Sequence, residues 1–191
     1  MGEDRGGGPE WLALGRKGPH PDPPPLFERG REELLLLAMS RIDRRLEELG
    51  IVLPVLAAPT ASYIRACAAG RLVFAAGHDP IDAQGVLQRG VIGADVTTEA
   101  ARRHAELTGL QLLAALRQHL DDLDRVTRVV KLFGLLRTAP GFAGHERVMD
   151  GCSDLIERVF GPAGRHARTA GGVFSLYGGM TIEIEAVIEV A

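Results

Sequence analysis

Residues Thr181–Val190, TIEIEAVIEV, carry the clearest period in the chain and decide how the rest is read. Ile182, Ile184, Ala186, Ile188 and Val190 point one way, and Glu183, Glu185, Val187 and Glu189 point the other. That alternation belongs to a half-buried strand. Its apolar side must meet a hydrophobic layer. Its carboxylate side must face water, a partner subunit or a ligand.

Working back from this strand, Gly161-Pro162 ends a helical stretch from about His145 to Phe160. DRVTRVVKLFGLLRT, Asp124–Thr138, has enough β-branched residues for a central strand. TTEAARRHAELTGLQLLAALRQHL, Thr97–Leu120, predicts a long helix with Thr97 or Thr98 as N-cap and Glu99 in its first turn. Ala101, Ala105, Thr108, Leu112, Ala115 and Leu116 share one face, and its small residues let the helix lie close on a sheet. YIRACAAGRLVFAAG, Tyr63–Gly77, reads as two short extended segments around a turn near Gly70, and DAQG, Asp82–Gly85, is a second turn. MSRIDRRLEELG, Met39–Gly50, predicts a helix capped by Ser40, with Asp43 in its first turn and Gly50 at its left-handed end. The order predicts an α+β domain: a mixed β-sheet with two long helices packed on one face.

Residues 1–38 differ in kind. They are rich in Gly and Pro and lack periodicity, so they are expected to form an unpacked leader ahead of a domain at 39–191. Met39, at the start of a clean helix, is the expected start of translation rather than Met1. The elements of a secretory signal are missing from the leader. The 191 residues carry a net charge of −3, which argues against a nucleic-acid-coating surface. No apolar run approaches the roughly 20 residues of a membrane span. Cys67 and Cys152 form no CxxC pair and read as separate small apolar residues in a reducing cytosol, so a cytoplasmic location is expected.

Phosphate-binding, zinc-protease and nucleophile-elbow motifs are absent, and DDLDRV lacks the glycine and glutamate of a calcium loop, leaving a helix-to-strand turn. Histidines 78, 104, 119, 145 and 166 show no ligand spacing, so no metal or cofactor is expected. Two features remain. One is the glutamate-bearing strand. The other is AGRHARTAGG, Ala163–Gly172, which sets Arg165, His166 and Arg168 in a short connection. Arginine suits a carboxylate because its planar fork donates parallel hydrogen bonds. The alternative is an arginine paired with a protein carboxylate, or a solvated loop charge.

APTASYIRAC, LVFAAGHDP, HARTAGGV and IEIEAVIEV, in this order and with an ungapped Arg168-to-Glu183 spacing, resemble the RidA/YjgF family of reactive-intermediate deaminases. The likeness is greatest to its YjgF/chorismate-mutase-like putative endoribonuclease branch, and it runs from about Ser40 to the C-terminus. It implies a chorismate-mutase-like subunit in a homotrimer, with a cleft for a small carboxylate or imino acid at each subunit boundary. It implies that Arg168 grips the carboxylate, Glu183 holds or activates water, Tyr63 lines the cleft and Gly77 lets the main chain approach the ligand. The implied reaction is hydrolysis of a 2-imino acid to a 2-keto acid and ammonia, without cofactor. A non-catalytic regulatory trimer binding small carboxylates, and an endoribonuclease, are the alternatives. The chain departs from the family at His166 (usually Pro), Ala76 (usually Ser) and His78 (usually Gln). No residue is carried over from VMDGCSDLIERVF, Val148–Phe160.

Overall fold

The computed structural model describes residues 39–57 and 62–191. The expected leader, 1–38, lies outside the described residues, as does the APTA stretch, 58–61, before Ser62.

Strand β5 (Ile182–Val190) occupies the middle of a five-stranded sheet of order β1-β2-β5-β3-β4, where β1 is Ala66–Ala69, β2 Leu72–His78, β3 Val126–Arg137 and β4 Ala167–Val173. It runs antiparallel to both β2 and β3. All five residues of its apolar side are buried. The segment read as a central strand, β3, is interior but stands beside the centre. It pairs parallel with the edge strand β4, which it reaches through a helical crossover. The Gly70 turn joins β1 to β2, with Gly70 at φ 62°.

Two irregularities move side chains between faces. In β2, Ala75 pairs with Ala186 and His78 with Ile184, so Ala76 and Gly77 together oppose Glu185. In β3, extra residues at Thr127 and Val130 put Val126, Val129 and Leu132 all on the core side.

Helix α1 (Arg41–Glu48) has Ser40 as N-cap, its hydroxyl accepting from the Asp43 N–H. Asp124, in the 3-10 turn before β3, also accepts from the Arg41 and Ile42 N–H groups at 2.8 Å. DDLDRV therefore closes the start of a distant helix as well as turning the chain. Helix α2 (Thr98–Leu120) is capped by Thr97, and its predicted inner face is fully buried. Helix α3 (His145–Phe160) ends at Gly161, φ 61°.

Both long helices pack on the same side of the sheet and on each other. Gly151 makes the second contact possible: a Cβ there would overlap the carbonyl oxygen of Arg102. Arg102–Asp154, Arg158–Glu106 and Arg147–Glu99 ion pairs bracket that crossing. The open face of the sheet carries Phe74 and Val130, 43% and 36% exposed, beside the carboxylates of β5.

Candidate functional site

The carboxylate end is built by the β2 irregularity. Glu183 lies half-buried on the open face and folds across Gly77, where a Cβ would stand 2.7 Å from its Cγ and Cδ. Only glycine leaves this volume to the carboxyl group. Burial raises the Glu183 pKa above the ordinary value, and the neighbouring carboxylates Asp79 and Glu185 push it the same way. Asp79 is also raised by burial, with Arg65 opposing. His78 faces inward from the same turn. Its Nδ1 lies 2.7 Å from the Ala76 carbonyl, its Nε2 has no hydrogen-bond partner, and burial lowers its pKa to about 4.

The arginine end lies on β4. Arg168 Nη1 donates to Asp150 Oδ1 at 2.8 Å and to Ser153 Oγ at 3.0 Å, both on α3. Ser153 Oγ also meets His166 Nε2 at 3.0 Å, while His166 Nδ1 meets the Gly164 carbonyl at 2.6 Å. Arg165 pairs with Glu157 at 3.0 Å. The dense positive loop is thus answered by a stripe of α3 rather than by the strand glutamates. Arg168 lines an open cleft of about 430 Å³ with Arg147, His145, Gly144 and Ala170.

These ends do not meet within one chain. Arg168 pairs with Leu132, on the helix side of the sheet, and Glu183 pairs with Leu135, on the open side. Two strand spacings and three residues along β3 separate them by roughly 14 Å. The structure does bring Gly77 to Glu183. Tyr63 is 49% exposed and precedes β1, which begins only at Ala66, so the expected tyrosine-bearing strand is shorter than its motif.

The family model described as YjgF/chorismate mutase-like, putative endoribonuclease matches residues 43–176. The chain belongs to this YjgF family. Protein TCP17 of Trypanosoma cruzi is 37% identical over 155 residues, covering 81% of this chain and 97% of the relative. The crystal structure of an Agrobacterium tumefaciens protein of unknown function matches with a TM-score of 0.72 and 34% identity, over 87% of this chain and 100% of that one. That of a putative endoribonuclease from Shewanella oneidensis gives a TM-score of 0.75 and 28% identity, over 79% and 100%.

Tyr63, Gly77 and Arg168 fall inside the YjgF match, and Glu183 lies beyond it. Asp150 and Ser153, one helical turn apart, are the partners that motif reading missed in this YjgF-family chain. Their i, i+3 spacing placed them on one face from the start. Both cysteines are free: Cys67 is exposed, whereas burial raises the Cys152 thiol to about 12 and leaves it inert. Among the described residues no cluster of three or more His, Cys, Asp or Glu is placed to hold a metal ion, and no helix is long and apolar enough to cross a membrane.

Proposed function

We propose that the chain is a cytoplasmic homotrimeric deaminase that hydrolyses 2-imino acids to 2-keto acids and ammonia. Its site joins Arg168 of one copy to Glu183 of another. The observation that carries this reading is the Glu183 carboxyl, laid over Gly77 and shifted toward neutrality by burial and by Asp79 and Glu185. A group so tuned takes a proton from water as it adds to the imine carbon and returns one to the departing nitrogen. Such acid–base work contributes about 10²–10⁴-fold. The imine carbon is already electrophilic, so orientation supplies the rest. The partly apolar open face around Phe74 and Val130 supports burial against another copy.

One observation favours binding without turnover: Asp150 already offsets the charge of Arg168. The name of the Shewanella oneidensis relative adds RNA cleavage as a further reading.

The test is keto-acid release from an imine generated in situ, with wild type, Arg168→Ala and Glu183→Gln. Acceleration by wild type that falls on the order of 100-fold in either variant supports the proposal. No acceleration, beside calorimetric binding of a keto acid, establishes the binding reading. Metal-independent RNA cleavage lost in Glu183→Gln establishes the third.

A further inference from the structure

We infer that Ser153, Asp150 and His166 are positioning residues that aim the guanidinium of Arg168 at its ligand. The inference rests on the proposed role of Arg168 as the carboxylate grip.

Hydrogen-bond polarity fixes the chain of contacts. The Gly164 carbonyl can only accept, so the neutral His166 ring carries its proton on Nδ1 and offers the Nε2 lone pair. Ser153 therefore donates its hydroxyl hydrogen to His166 Nε2 across 3.0 Å. Its oxygen is then left to accept from Arg168 Nη1. Asp150 takes the other hydrogen of the same nitrogen. Nη1 is saturated by two acceptors on one rigid helix. Nε and Nη2 have no hydrogen-bond partner among the described residues. Their N–H groups project in parallel, the arrangement that receives a carboxylate through two bonds.

Replacing the His166 ring with a side chain that cannot accept at this place breaks this order. The Ser153 hydroxyl hydrogen then loses its acceptor, and the serine is free to turn its oxygen away from Nη1. Around His166 stand Arg128 of β3 and Glu189 of β5, which line the same groove, and the Arg165–Glu157 pair beside α3. These charges lie around the ring with both signs, and the Ser153 hydroxyl is the side-chain partner of Nε2.

The experiment measures 2-ketobutyrate affinity calorimetrically at pH 8, together with the His166 ring tautomer by nitrogen NMR, on the full chain. Wild type is expected to show the Nδ1–H tautomer, and His166→Ala to bind about fivefold more weakly than wild type. His166→Gln, whose amide oxygen can accept from Ser153, is expected to keep the wild-type affinity. Ser153→Ala is expected to bind about fivefold more weakly at pH 8, with unchanged thermal stability marking it as folded. Unaltered affinity in His166→Ala or Ser153→Ala, a His166→Gln as weak as His166→Ala, or an Nε2–H tautomer overturns the positioning role. If Arg168→Ala binds as tightly as wild type, or wild type does not bind, the reading of Arg168 falls and takes this inference with it. If Arg168→Ala alone loses binding, that reading survives and only the positioning role is lost.

Discussion

The carboxyl group of Glu183 occupies the space that any side chain at position 77 would need. Gly77 has no positive φ, so its backbone would accept alanine. What must yield is the far end of a flexible glutamate. Gly77→Ala is therefore expected to fold with a melting temperature near that of wild type. It should lose the proposed imine hydrolysis as fully as Glu183→Gln is expected to, on the order of 100-fold. Paired thermal and rate measurements check this; an active Gly77→Ala would show that the glutamate need not lie where it does.

His78 predicts a signature in acid. Its folded pKa of about 4 lies below the ordinary 6.5. As pH falls through that window the unfolded chain takes up a proton that the native chain refuses, so stability drops. The full loss is on the order of 3 kcal/mol, complete near pH 4. Denaturant unfolding of wild type and His78→Gln between pH 7 and pH 4 isolates this group, and the variant should lack that share of the slope.

Glu183 works in the opposite direction. Its pKa is raised in the native state, so the folded protein keeps a proton that the unfolded chain has released. This contribution to stability is present in acid and fades as pH rises above the ordinary glutamate range. Glu183→Gln should therefore gain more stability over wild type at pH 7 than at pH 4. The effect is small, because the carboxyl is half exposed and solvent screens it. Thermal melts at the two pH values decide it.

The α2–α3 crossing gives a structural prediction. Gly151→Ala drives a methyl group into the Arg102 carbonyl, an overlap that no side-chain rotation relieves. Overpacking of this kind costs about 2–3 kcal/mol, or roughly 4–12 °C in melting temperature for a chain of this size. Differential scanning calorimetry reads it directly.

How much of this was legible in the sequence depends on the distance over which each feature is encoded. The β5 alternation, the α2 N-cap and the Gly161 end of α3 are local, and the structure reproduces them. The insertion of β5 between β2 and β3 is a long-range pairing that no local pattern carries. The extra residues in β2 and β3 change side-chain parity without changing composition, so strict alternation could not be read there. The charge of the Arg165–Arg168 loop was visible; its answering stripe, Asp150, Ser153 and Glu157, was equally visible as i, i+3, i+7 on α3 but had no reason to be joined to it.

The doubled step at Ala76 and Gly77 has a consequence for how such a surface can change. Paired without the surplus residue, the same β2 sequence would seat Gly77 opposite Ile184 and deliver an imidazole to the neighbourhood of Glu183, leaving the interior a void where His78 now fits. Whether an imidazole stands beside Glu183 on this face is therefore settled by backbone counting as much as by the residues encoded.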